Sequence, residues 1–323
     1  MKSRSLLLIL LAITILISLV GWNWYQDTAR SPALAEYSQP QIAPPQVNAQ
    51  RLWSDMATLA VRRFEESDRQ QARNYITQEL QKAGWTPQLQ PFTAQGFSGI
   101  NIWAERSGTQ PQLGAILLGA HYDTVADSPG ADDNATAVAV ALEAARLLSQ
   151  SPATPRSLQL AFFDLEEAGL IGSTAYVENL QPEALQGAVI MDMMGYTCSV
   201  AACQTYPPLP IQPPVDTGEF LAAIGDQGHP VLTESVSRAS RANLPQVLTL
   251  SIPTLGGLTP DLVRSDHTPF WKKGIGAVLL TDTANFRNPH YHQPSDTLET
   301  IDRRFFVGSA QIVINSLIDL LQQ

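Results

Sequence analysis

Histidines and acids occur along this chain in short stretches whose spacing suits metal chemistry: His121-Tyr122-Asp123, Asp132-Asp133-Asn134, Glu166-Glu167, Asp192 and His290-Tyr291-His292. In an extended chain His121 and Asp123 project to one face, so the carboxylate can accept the far imidazole N–H and orient a cation-binding histidine. Asp132, Asp133 and Asn134 stand where a loop feeds a helix; one such residue would cap it, and three exceed that need. A carboxylate there has two free oxygens and can bridge two cations, and only one of the two acids need do so. Glu166 and Glu167 follow an apolar run, where adjacent side chains point different ways. One can bind a cation while the other takes a proton from water. A helix start, whose dipole favours acids, is the plainer use of such a pair. Asp192 is an acid within an apolar run, Ile190 to Met194, and burying an unpaired carboxylate is costly unless a partner or a metal compensates it. His290 and His292 can share a face or belong to an ordinary turn with Pro294 and Asp296; spacing does not choose. Ser265-Asp266-His267 has the residue types of a serine hydrolase without a G-x-S-x-G elbow, and reads as a supporting or structural cluster. His229, before Pro230, reads as incidental.

Four short apolar runs have the character of buried strands: 114–119, 158–163, 187–191 and 275–280. Helical spacing fills the intervals: two helices across 51–83 closed by Gly84, one over 134–148 and one over 168–177, with an amphipathic helix over 305–321 at the end. The alternation predicts an α/β fold, a mostly parallel mixed central sheet with helices on both faces. In such sheets ligands gather beyond the carboxyl ends of the strands. His121 and Asp123 follow the first strand, Glu166 and Glu167 the second, Asp192 the third; beyond a loop, His290 and His292 follow the fourth. Surface charge has no reason to favour one end of every strand, so the pattern predicts a metal site. Residues 197–214 and 245–262 read as loops. Phe270, Trp271 and the second loop are candidates either for a substrate pocket or for core.

The formal net charge of −10 argues against nucleic acid or an anionic membrane surface as the main partner. Lys2 and Arg4 precede an apolar run from Leu6 to Val20, an export segment that is either a cleaved signal or an uncleaved anchor. The expected organisation is therefore residues 1–35 as signal or anchor, 36–50 as a Pro/Gln-rich linker, and 51–323 as one domain facing outside the cytoplasm. Any membrane contact then runs only through the N-terminal segment. Cys198 and Cys203 form one disulfide in an oxidising compartment, or are two separate thiols.

The segments GAHYDTV, SPGADDNATA, FFDLEEAGLIGS, MDMMG and NPHYHQPSDT, in that order, resemble the co-catalytic di-zinc aminopeptidases of peptidase clan MH, the bacterial leucyl aminopeptidase type. The resemblance implies the zinc-exopeptidase, phosphorylase/hydrolase-like fold. It implies two Zn2+ ions: His121 and Asp192 on one, Glu167 and His292 on the other, and Asp133 bridging; nitrogen and oxygen ligands select weakly, so cobalt or manganese can stand in for zinc. Glu166 would be the general base acting on a water between the metals, Asp123 would orient His121, and His290 would be a neighbour. A cis peptide at Asp133-Asn134 is implied as well. The expected partner is a peptide with a free N-terminus, met by a monomer. The rival expectations are a single-zinc glutaminyl cyclase and a catalytically dead binding protein on the same fold.

Overall fold

The computed structural model describes residues 42–208, 213, 215–253 and 260–323. Its centre is an eight-stranded sheet in the order β1-β2-β4-β3-β5-β8-β6-β7. The strands are β1 (Gln88–Ala94), β2 (Phe97–Arg106), β3 (Ala115–His121), β4 (Leu158–Phe163), β5 (Leu185–Met191), β6 (Phe220–Asp226), β7 (Gln246–Ile252) and β8 (Ala277–Thr281). The four inner strands β4, β3, β5 and β8 run parallel. The helices are α1 (Ala49–Leu59), α2 (Glu66–Lys82), α3 (Ala137–Ser149), α4 (Ile171–Glu178), α5 (Pro230–Ala239), α6 (His267–Lys272) and α7 (Arg303–Gln322).

The inner strands are buried on both faces, which explains their mostly apolar sequence. Alternate residues serve opposite layers. Ile116, Leu118 and Ala120 of β3 pack with α1, α2, α3 and α7, whereas Ala115 and Leu117 pack with α4 and α6. Antiparallel pairs finish each side: the β1–β2 hairpin joins β4, and β6 joins β8 with β7 parallel beyond it. The sheet is thus α/β and mixed, with the parallel part at its middle. Gln95 and Gly96, both with positive φ, make the two-residue turn of the hairpin.

Some expectations need correction. The stretch 245–262, read as loop, contains β7. As an edge strand with one face exposed, its QVLTLSI alternates and carries no continuous apolar run. The hairpin, β6 and α5 had no counterpart in the sequence reading. The helix read from Asn134 begins at Ala137, because Asp133 and Asn134 have non-helical backbone. The helix read from Ala168 begins at Ile171. The last helix, read as amphipathic, is a core element. It is long and apolar enough to cross a membrane, yet 83% of its apolar window is buried. The linker reading also fails over its described part. Ile42 N–H donates to Gln322, Val47 N–H to Gln311 and Asn48 N–H to Glu143, and Asn48 caps α1. The compact unit begins at Ile42. The export segment lies outside the described residues. Cys198 and Cys203 are joined in a disulfide.

Candidate metal centre

The carboxyl ends of β3, β4 and β5 converge on one point. His121 closes β3 and is 1% exposed. Its Nε2 lies 3.2 Å from Asp133 Oδ1 and 3.6 Å from Asp192 Oδ1. On the other side of Asp133, His292 Nε2 lies 3.3 Å from Asp133 Oδ2 and 3.0 Å from Glu167 Oε2. Two donor groups result, His121/Asp133/Asp192 and Asp133/Glu167/His292, each with its ligand atoms within 4.8 Å of one another. Asp133 contributes one oxygen to each.

The surrounding backbone is organised to present these atoms. The Asp133–Asn134 peptide is cis. The Asn134 side chain donates to Met191 O and accepts from Met193 N–H, each at 3.1 Å, so it grips the backbone on both sides of Asp192. Asp123 stands beside His121 and holds the backbone of both glutamates. Its Oδ1 lies 3.5 Å from His121 Nδ1, and its carboxylate accepts the backbone N–H of Glu166 at 3.1 Å and of Glu167 at 3.2 Å. Asp296 Oδ1 and Oδ2 accept the N–H groups of Asp132 and Asp133. Leu165, Met193 and His292 have positive φ, and each is a site residue or next to one. Such sparsely populated conformations persist only where the surroundings over-determine them.

The remaining candidates fall elsewhere. Asp132 turns inward, accepting from Gly195 N–H at 2.8 Å and from Asn288 Nδ2 at 2.9 Å. His290 Nδ1 pairs with Ser295 Oγ at 2.8 Å. Ser265, Asp266 and His267 form no relay: Ser265 Oγ and His267 Nδ1 have no hydrogen-bond partner, and His267 Nε2 meets Leu262 O at 2.9 Å. His229 pairs with Asp226 at 2.7 Å. Phe270 and Trp271 are core. Glu166 is buried and belongs to neither donor group. It lines a cavity of about 550 Å³ together with Asp133, Glu167, Asp192 and His292. The rest of that cavity is largely apolar, with Ile224, Leu248, Leu250, Leu279 and Phe286 in its wall. Asp296 and Asn134 support the site in a way that the sequence reading did not foresee. Their types suit an ordinary turn and a cap, so neither carried a signal of its own.

The electrostatics fit a cation. Burial disfavours a charged His121, but Glu166 and then Asp123, Asp133 and Asp192 outweigh it and push the ring well above its ordinary value. His292 is likewise pushed up to about 10, Asp133 and Glu167 overcoming its burial. Burial, with Asp133 beside it, pushes Glu167 up to about 7. Burial also raises Glu166 well above the usual carboxylate range. Protons held between facing carboxylates occupy the place of a more highly charged ion. Glu167 Oε1 and His292 Nε2 are buried with no hydrogen-bond partner. An all-nitrogen-and-oxygen donor set suits zinc and also cobalt or manganese.

A family model described as Peptidase family M28 matches residues 101–317. The chain is 32% identical over 256 residues to the uncharacterized protein YfbL of Escherichia coli, covering 74% of this chain and 76% of that one. It is 30% identical over 239 residues to the probable lipoprotein aminopeptidase LpqL of Mycobacterium tuberculosis, covering 65% of this chain but only 43% of that one. Among solved structures it resembles BSAP, a zinc aminopeptidase from Bacillus subtilis, with a TM-score of 0.68 at 16% identity, covering 87% of this chain and 97% of that one. The glutaminyl cyclase of Porphyromonas gingivalis has the same fold, with a TM-score of 0.63 at 20% identity, covering 84% and 98%.

Proposed function

Because this chain belongs to peptidase family M28, we propose that it is a metal-dependent aminopeptidase holding two divalent cations, zinc foremost. The observation that carries the reading is Asp133, whose two carboxylate oxygens face two separate donor groups. His121 and Asp192 would hold one ion, Glu167 and His292 the other. When bound, such ions supply Lewis acidity, polarising the scissile carbonyl and making water more acidic.

The chain's own residues do the rest. Glu166 stands in the cavity wall outside both donor groups. Its burial, which raises its proton affinity, suits a base that takes a proton from the attacking water and returns it to the leaving amine. Asp123 holds the backbone N–H groups of both glutamates and faces the Nδ1 side of the His121 ring at 3.5 Å, placed to orient it when a cation is bound. The cavity then reads the substrate. Its acidic end accepts a free α-amine, and its apolar wall excludes water and takes the N-terminal side chain. The resemblance to a single-zinc cyclase would account for only one Asp, one Glu and one His; here His121 and Asp192 complete a further group with Asp133. The domain acts as a monomer outside the cytoplasm, carried there by residues 1–35 as signal or anchor.

Aminoacyl anilides and their N-acetylated counterparts test the reading. The metal-loaded chain is expected to cleave only those with a free amine, and to lose that activity to a chelator. Equal cleavage of both sets, or activity in the stripped chain, contradicts it.

A further inference from the structure

We propose that Arg63 is a positioning residue for the metal centre: with Asp296 it clamps the Pro129–Asp133 turn and so sets the separation of His121 from Asp133. The inference rests on the reading of that centre given above.

Arg63 lies between α1 and α2, distant in sequence from every ligand, with 1% of its surface exposed. A buried guanidinium is ordinarily paired with a carboxylate. Here its donors meet main-chain carbonyls. Nε donates to Tyr122 O at 2.7 Å, Nη1 to Leu59 O, to Val61 O at 2.8 Å and to Pro129 O at 3.0 Å, and Nη2 to Gly130 O at 3.0 Å. Tyr122 stands between His121 and Asp123, and Gly130 begins the turn that delivers Asp133. One planar fork of fixed geometry therefore spans the two segments that must converge. The Arg63 backbone adds to this, its N–H donating to Thr124 Oγ1 at 2.9 Å and its carbonyl accepting from Thr124 N–H at 3.3 Å.

Asp296 holds the same turn from its amide side. Its carboxylate accepts from Asp132 N–H at 2.9 Å and Asp133 N–H at 3.1 Å, and its carbonyl accepts from Ala131 N–H at 3.2 Å. Carbonyls facing a guanidinium and amides facing a carboxyl group align the turn's peptide dipoles from both sides. Gly130 shows how tight the clamp is. Its φ is +63°, and a Cβ there would lie 2.3 Å from Asp133 O and 2.8 Å from Arg63 Nη2. Lysine could keep the charge but not the fork, having a single nitrogen on a flexible stem.

The test uses the full chain and its Arg63→Ala, Arg63→Lys and Asp296→Asn variants, stripped of metal. Zinc affinity is measured by competition with a chromophoric chelator, alongside far-UV circular dichroism and the kcat and KM of the reloaded protein. Arg63→Ala is expected to bind zinc about 10–100-fold more weakly, as removal of groups that orient metal ligands does, with kcat reduced and KM held. Arg63→Lys should fall nearer to Arg63→Ala than to wild type. Guanidinium at about 10 mM, far below the molar range that unfolds proteins, should restore part of the affinity of Arg63→Ala, whereas urea should not. A folded Arg63→Ala with unchanged or raised zinc affinity overturns the inference, and so does equal rescue by urea. Should Arg63→Ala fail to fold, unchanged zinc affinity in both Arg63→Lys and Asp296→Asn overturns it. Wild-type protein that binds no zinc would instead refute the metal centre itself.

Discussion

Replacing Glu166 and Glu167 one at a time by glutamine separates the proton acceptor from the ligand. Glutamine preserves size and shape, and Asp123 grips both positions through backbone N–H groups, which the substitutions leave intact. Glu166 belongs to neither donor group, so Glu166→Gln should retain its metal. Its loss is that of a general base, about 10²–10⁴-fold in kcat, or about 2.7–5.4 kcal/mol of barrier at 1.36 kcal/mol per decade. Glu167 Oε2 lies 3.0 Å from His292 Nε2 and shares that group with a single oxygen of Asp133. Glu167→Gln therefore leaves only one carboxylate oxygen and one imidazole on that side and should lose one of two ions. The assay is metal content after dialysis, paired with initial rates on an aminoacyl anilide. Equal metal loss in both variants, or a Glu166→Gln rate within tenfold of wild type, refutes the division of roles.

Asp123→Asn should bind zinc about 10–100-fold more weakly, because one face of the side chain becomes a donor turned toward groups that themselves donate; chelator competition reads this. In the metal-free chain, burial lifts Glu167, Asp266 and Asp296 to about 7 and Asp164 to about 6. The folded state then holds protons that the unfolded chain has released, so stability rises as pH falls through that window. The metal-free melting temperature should be higher near about pH 6 than near about pH 8, and the reverse order contradicts the burial assigned to these acids. His267, held down to about 4 by burial, opposes this trend between its unfolded value of 6.5 and about 4, and so offsets only part of the acids' contribution near about pH 6. Leu250→Trp, which fills the apolar wall, should lower kcat/KM for bulky N-terminal residues far more than for alanine, as the ratio of the two anilides reports. Deleting residues 1–35 should leave a soluble, active enzyme. Asn48→Ala should cost about 1 kcal/mol in chemical denaturation through loss of the α1 cap.

The inner strands were legible because burial on both faces writes itself as a nearly continuous apolar run, as in Leu158–Phe163, which only Gln159 interrupts and whose limits agree with the sequence reading. β7 was hidden by the opposite circumstance, since an edge strand beside a cavity alternates and ends near glycines. The acids at the strand ends were visible as a pattern, but their aim was not. Asp132 and Asp133 are chemically identical neighbours, and only the irregular backbone of Asp133 and Asn134 turns one inward and the other toward the histidines. Resemblance supplied that choice and the choice of His292 over His290; spacing supplied neither. Asp296 looked like a turn residue because it is one, and its second use depends on a partner segment 163 residues away. Arg63 carried no local signal, since its partners are carbonyls, which every residue has.

A zinc titration of the stripped chain decides whether the centre needs two metals and acts on free amino termini. Release of an aminoacyl anilide is followed as zinc is added, with the N-acetylated anilide in parallel. Activity should rise to a break at two equivalents per chain while the acetylated substrate stays intact. A break at one equivalent with no further gain, or cleavage of the acetylated substrate at a comparable rate, would contradict it.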